Sequence, residues 1–250
     1  MDNKPLFSIS TPCWNSAKTI ERTIKSVLVQ EFKDYEYIIV DGGSTDGTID
    51  IIKKYEPLFE GRMKWTSEPD KGLYDAFNKG IERSTGTYCW NVNSDDYIET
   101  DALNTLAKHI QAHVEKPVIS AAMHYVRCDG TLIRNCISTA SSENFNYEHN
   151  GMGVNHPATL VPKAIYEKYG AFDIRFKICA DMDWFNRIHS AGVPVLHIDD
   201  FIITMTDGGI SHNSSYLKHA KDRWLLFNKR YHSFFLCCYY FVRWSVSCQF

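Results

Sequence analysis

Asp95 and Asp96 stand side by side after Thr87-Tyr88-Cys89-Trp90-Asn91-Val92-Asn93-Ser94, a run in which Tyr88, Trp90 and Val92 alternate with smaller or polar residues. Alternation of period two marks a β-strand, and the Asn-Ser-Asp-Asp break that follows is a turn. Two adjacent carboxylates repel each other unless a cation, a hydroxyl or backbone N–H groups compensate them. Hard oxygen ligands at the end of a rigid strand suit Mg²⁺ or Mn²⁺; the plainer reading is a solvated Asp turn. A second acidic pair, Asp181 and Asp183, opens the helical stretch Asp181-Met182-Asp183-Trp184-Phe185-Asn186-Arg187-Ile188. Helical residues two apart project about 200° from one another, so only one of these acids can serve a given hydroxyl. A carboxylate at that place can also simply cap the helix. Trp184 beside Phe185 suits either a core position or an aromatic face open for stacking.

These residues need a frame to hold them. Leu6 to Thr11 reads as a strand stopped by Pro12, and residues 16 or 18 to 30 as a helix with Ile20, Ile24, Val27 and Leu28 on one face. The unit repeats: strand Glu36 to Val40 leads through Asp41-Gly42-Gly43-Ser44-Thr45-Asp46-Gly47 to helix Thr48 to Tyr55, and strand Met63 to Thr66 leads to a helix carrying Leu73, Ala76, Phe77, Gly80 and Ile81. After the aspartates comes a helix from Asp101 bearing Leu103, Leu106, Ala107 and Ile110. Alternation with short connections predicts an α/β fold around a mostly parallel sheet covered on both faces. Ligands of such sheets sit outside the carboxyl ends of the strands, and here those ends gather Pro12, Trp14, Asp41, residues 67–72 and the twin aspartates on one rim. The second half is less regular. A hairpin is predicted around Cys128-Asp129-Gly130, a polar loop over 138–153, a short strand over 155–162, a helix Lys163 to Tyr169 ended by Gly170, and a final strand Val195 to Ile203.

Composition is that of an ordinary globular chain: 250 residues, 44% hydrophobic, 23% charged, formal net charge -3. Without a basic excess, nucleic acid is a poor candidate partner. The eight cysteines form no C-x-x-C pair and follow no zinc spacing, which favours a reduced compartment. Met1 to Pro5 lacks the basic, apolar character of a leader, so the expected location is cytoplasmic.

Six ordered segments resemble a family 2 glycosyltransferase of the GT-A fold, the kind that builds bacterial surface polysaccharides. They are residues 11–15, 37–48, 68–80, 93–96, Ala180-Asp181, and Gly208-Gly209-Ile210-Ser211, spanning Pro5 to about Ser211. The resemblance implies a GT-A domain over 1–215, with a nucleotide-binding half (1–98) and an acceptor-binding half (99–215). It implies a nucleotide-sugar donor bound by Pro12, Trp14, Asp41, Lys71, Asp75 and Asp95, and a divalent cation, Mn²⁺ or Mg²⁺, held by Asp96. A cation there would stabilise the charge that develops on the departing nucleoside diphosphate. Asp181 matches the family's general base, which must reach the acceptor hydroxyl from the side opposite the diphosphate and so inverts the anomeric centre. His156, Trp184 and His212 fall at acceptor-side or loop positions. The chain departs from the pattern in three places: Trp14 stands where Tyr is usual, Gly42 where a second acid often contacts the base, and Ala180 where Glu usually precedes the catalytic Asp. Base choice therefore stays open.

From Tyr216 to Phe250 the chain turns cationic and aromatic, with Lys218, Lys221, Arg223, Lys229, Arg230 and Arg243 against Asp222, and Phe234 to Val242 free of charge. Nine residues are too few to span a bilayer, which takes about twenty. The pattern suits either a helical segment at the interface of an anionic leaflet, where a lipid-linked acceptor would lie, or packing against the domain. Processive synthases of the same family carry Gln-x-x-Arg-Trp; here Ala220 precedes Arg223-Trp224, so a non-processive enzyme acting on a glycan or lipid-linked acceptor is expected. Two other classes compete. A sugar nucleotidyltransferase would want a Gly-rich basic loop after the first strand, and Cys13-Trp14-Asn15-Ser16 is not one. A non-catalytic nucleotide or sugar binding domain would result if Asp181 is only a cap.

Overall fold

A computed structural model describes residues 4–138, 153–209, 214–231, 235, 237–239 and 241–242. One sheet runs through the molecule. Its strands are β1 (Phe7–Cys13), β2 (Tyr35–Asp41), β3 (Met63–Ser67), β4 (Tyr88–Asn91), β5 (Tyr97–Ile98), β6 (Val118–Val126), β7 (Leu132–Cys136), β8 (Thr159–Pro162) and β9 (Val195–Thr206), in the spatial order β3-β2-β1-β4-β8-β6-β9-β5, with β7 on β6. The helices are α1 (Ile20–Leu28), α2 (Thr48–Tyr55), α3 (Leu73–Arg83), α4 (Ala102–Ala112), α5 (Lys163–Tyr169), α6 (Ala180–Ser190) and α7 (Tyr216–Tyr231). Pairing is parallel among β1 to β4 and again between β6 and β9, while β8 enters antiparallel between β4 and β6. That reversal ends the nucleotide-type unit and begins the second half.

The alternation along β4 decides the layering. Tyr88 and Trp90 join a core with Ile20, Ile24 and Val27 of α1 and Leu103, Leu106 and Ile110 of α4, while Cys89 points into a second core with Phe77, Ile81, Trp184, Phe185 and Ile188. Successive strand side chains face opposite ways, so one four-residue strand knits both layers. On the second face α3 lies so close to β1 that a Cβ on Gly80 would come within 1.9 Å of Ser10 Oγ. Only glycine permits that approach.

β1 does not stop before Pro12 as its sequence suggests; it runs to Cys13. The physical reason lies in its neighbours. β4 pairs with β1 only from Phe7 to Ser10, so Pro12 borders β2 alone and its missing N–H breaks no ladder on the open side. β9 likewise runs past Ile203 to Thr206, and the two-residue β5 that pairs with it carried no periodicity to read. The predicted hairpin forms, and residues 139–152 of the polar loop lie outside the described residues.

Candidate active site

The carboxyl ends of β1 and β4, the start of α3, the end of β9 and the start of α6 enclose a cavity of about 810 Å³. Asp95, Asp96 and Asp181 all line it, together with Pro12, Trp14, Tyr74, Phe77 and His156. Acids separated by some eighty-five positions in the chain thus share one hollow.

The twin-aspartate turn is clamped from α1. Arg22 donates to the Asp95 carbonyl (2.7 Å) and to Thr206 Oγ1 (2.8 Å), and Thr23 Oγ1 donates to the Asp96 carbonyl (2.6 Å). Asp96 is 1% exposed; its Oδ2 accepts from Asn93 Nδ2 (3.0 Å) and its Oδ1 from the Thr206 N–H (2.9 Å). Burial first, and the Asp95 charge second, push the Asp96 carboxyl up to about 7. Burial raises Asp95 as well. Two buried acids that resist ionising together are what a divalent cation would relieve. Among the described residues no group of three or more His, Cys, Asp or Glu gathers as a ready-made metal cage. The donor set therefore fits a hard cation that completes its shell with substrate phosphate oxygens and water.

Asp181 sits in the first turn of α6. Its Oδ1 accepts from the Met182 N–H (2.9 Å) and lies 3.2 Å from Tyr74 Oη, which donates to the Ile178 carbonyl at 2.6 Å. Asp183 is elsewhere: it is buried, with Arg187 at 3.2 Å and Lys229 at 2.6 Å, and does not line the cavity. His156 is ringed edge-on by Phe77, Phe172 and Phe185, and burial lowers its pKa, which favours a neutral imidazole.

Trp14 is 66% exposed at the rim, an open ring face able to stack. Four other residues named from the sequence are not at the cavity. Asp41 is fully buried, and its carboxylate is taken up by the N–H groups of Gly43 (3.0 Å) and Ser44 (2.9 Å), the hydroxyls of Ser44 and Ser67, and the Cys13 thiol. It anchors the loop after β2. Lys71 is exposed, and Asp75 accepts from the Lys71 N–H (3.0 Å) and pairs with Lys79 (3.5 Å), closing the start of α3. Trp184 is fully buried, its indole N–H given to the Gly170 carbonyl at 2.8 Å and its ring packed on Tyr166, Phe172 and Phe185; it is core, and no sugar can reach it. His212 lies outside the described residues.

Sequence reading missed Arg22, Thr206 and the orienting role of Tyr74, each of which acts through tertiary placement with no local pattern to mark it. Asp70 was passed over too. A Cβ on Gly42 would lie 2.5 Å from Asp70 Oδ2 and 3.4 Å from Trp14 Cδ1, so the Asp70 carboxylate already fills the space beside residue 42. The absent side chain at 42 was legible, whereas its replacement from another loop was not.

Acids from two distant stretches of one α/β fold thus meet in a single cavity at the strand ends. Residues 8–170 match the model of glycosyl transferase family 2, and the chain belongs to that family. It is 29% identical over 189 residues to a PGL/p-HBAD biosynthesis glycosyltransferase of Mycobacterium bovis (strain BCG / Pasteur 1173P2), covering 74% of this chain and 70% of that one. Over 100 residues, 40% of each chain, it is 43% identical to TuaG of Bacillus subtilis (strain 168), named for a glycosyltransferase of teichuronic acid biosynthesis. In fold it superposes on S. aureus TarS 1-349 in complex with UDP-GlcNAc with a TM-score of 0.73 at 20% identity, covering 97% of this chain and 71% of that one. It spans 39% of a longer TarS chain.

Proposed function

We propose that this glycosyltransferase moves a sugar, with inversion and one residue at a time, from a nucleotide-sugar to a hydroxyl of a surface glycan or lipid-linked acceptor. The observation that carries the reading is the common cavity of Asp95, Asp96 and Asp181. The names of the two relatives, one of PGL/p-HBAD biosynthesis and one of teichuronic acid biosynthesis, support the acceptor class.

The nucleotide base lies against Pro12 and the open Trp14 ring, near the Asp70 carboxylate. Residues 1–98 supply the donor end, and 99–215 the acceptor end. Asp95 and Asp96 would hold Mn²⁺ or Mg²⁺, and such a cation would neutralise charge on the leaving group. Asp181, its Oδ1 held by the Met182 N–H and close to Tyr74, takes the proton of the acceptor hydroxyl on Oδ2. The acceptor oxygen bonds to the anomeric carbon as the bond from that carbon to the phosphate oxygen breaks, and the nucleoside diphosphate leaves with the electron pair. Apolar walls from Leu73, Phe77, Met123 and Val154 keep bulk water from competing with the acceptor.

Contact with a membrane surface belongs to the same reading. No helix among the described residues is long and apolar enough to cross a bilayer. Phe227 and Cys237 are buried together with Trp224 and Phe241 against them, whereas Phe235 (83%), Tyr239 (54%) and Val242 (60%) are exposed at helical spacing. One side of the tail packs on α7, and the other offers an apolar stripe, in a segment that also carries exposed Lys218 and Lys221, to an anionic leaflet.

A thermal-shift panel of UDP- and GDP-sugars with and without Mn²⁺, followed by transfer assays with the donor that stabilises most, tests the proposal. A donor whose effect depends on Mn²⁺ is expected; no stabilisation by any nucleotide-sugar would count against it.

A further inference from the structure

We propose that Asp222, on α7 and outside the cavity, is a positioning residue that fixes the backbone carrying Asp181. The inference rests on Asp181 being the base. Asp222 is 3% exposed, and its Oδ2 accepts the backbone N–H groups of Lys177 (2.8 Å), Ile178 (2.6 Å) and Cys179 (3.1 Å). Those three amides lead directly into α6, whose second residue is Asp181. The N-cap residue of α6 is Cys179, and it makes no side-chain cap hydrogen bond. Ser, Thr, Asp or Asn would ordinarily serve there. The anion comes instead from a helix 43 residues further on. A carboxylate at a helix start is favoured by the dipole and by charge-assisted hydrogen bonds.

The opposite side of the same segment is pinned by α3. Tyr74 Oη donates to the Ile178 carbonyl (2.6 Å), and Asn78 exchanges both its amide groups with the Phe172 backbone (2.8 and 2.9 Å). Lys229, one helical row along α7, reaches Asp173 (3.1 Å) and Asp183 (2.6 Å), and Leu226 joins the core around Phe176, Ala180 and Trp184. The base is thus held in a vice with α3 as one jaw and α7 as the other. The matched family region ends at residue 170, before Asp181 and Asp222 alike. A buried carboxylate that accepts from three backbone N–H groups of this segment has a job that an apolar side chain could not do. Removing it orphans three amides beside the base.

The test compares the full chain with Asp222→Asn, Asp222→Ser and Asp222→Leu. Asn keeps one acceptor oxygen at the right distance, Ser falls short, and Leu removes it. Hydrogen exchange of peptides covering 175–183 should speed about tenfold or more in the Leu and Ser variants and return nearly to wild type in Asn, with β1 to β4 unchanged. With the nucleotide-sugar that wild type turns over best, kcat should fall about 10- to 100-fold in Leu and Ser while the donor KM stays within about twofold, and Asn should recover most of it. If Leu fails to fold, Ser carries the same comparison. Unaltered exchange over 175–183 overturns the anchor. Faster exchange with unchanged kcat overturns its catalytic role, as does an equal fall in all three variants. Wild-type turnover in Asp181→Asn would instead sink the assignment of the base, and the exchange comparison would still decide whether Asp222 holds that backbone.

Discussion

At the scale of single residues the site works by withholding solvation from acids and returning it through other partners. Asp96 shows the sign of this most clearly. Burial and the neighbouring Asp95 charge push its carboxyl up to about 7 in the fold, against about 3.9 in an unfolded chain. Between those values the native state keeps a proton that the unfolded state has lost, so native stability falls as pH rises through that window. Metal-free wild type should therefore lose melting temperature relative to Asp96→Asn on going from pH 5 to pH 8, and Mn²⁺ with a nucleoside diphosphate should recover it in wild type alone. Parallel pH profiles of the two proteins would show that the acid is not strained by burial. Trp14 poses a simpler case. An open ring at the rim should contribute about 1–3 kcal/mol to nucleotide binding by stacking, so Trp14→Ala weakens a bare nucleoside diphosphate by that amount. Equal affinities in calorimetry would mean the ring lies off the base. The acids on the strand ends were readable because strand periodicity and a polar break mark them. The burial of Asp41 was not legible, because its partners Ser44, Ser67 and Cys13 come from three separate segments.

Among the elements, α3 and β1 set how closely the layers approach. Gly80→Ala would force a methyl to 1.9 Å from Ser10 Oγ, and overpacking of this kind costs about 1–3 kcal/mol. Ser10 Oγ has no hydrogen-bond partner among the described residues, so Ser10→Ala should cost little and should recover part of the loss when combined with Gly80→Ala. Melting curves of the two single variants and the double would measure that coupling, and strict additivity would place the strain elsewhere. Element by element, α2 fell where its periodicity put it, and β2, β3 and α3 within a residue or two, because each is short, amphipathic or apolar, and bounded by turn residues. The exceptions share one cause. Pro12 inside β1, the two-residue β5 and the extension of β9 to Thr206 are all settled by which strand lies alongside, a non-local fact. Trp184 is the same lesson on a helix: its apolar neighbours are equally compatible with core and with stacking, and only packing chooses.

For the molecule as a whole, one sheet runs through both halves, α7 packs Leu226 into the second core, and the segment after it packs on α7. The tail has two chemically distinct sides: Cys237 and Phe241 turned to α7, and Phe235, Tyr239 and Val242 turned to solvent. Replacing the exposed three with Ser should leave melting temperature nearly unchanged and abolish co-sedimentation with vesicles rich in anionic lipid; undiminished sedimentation would rule the stripe out as the contact. The tail's basic and aromatic composition was plain in the sequence, but its division into a packed side and an open side depends on where α7 lies. The most direct test of the central claim concerns Asp181, which must act on the donor that Asp95 and Asp96 hold in the same cavity. Donor turnover by Asp181→Asn at saturating nucleotide-sugar and Mn²⁺ should fall by about 10²- to 10⁴-fold with donor affinity kept close to wild type; turnover equal to wild type would contradict it.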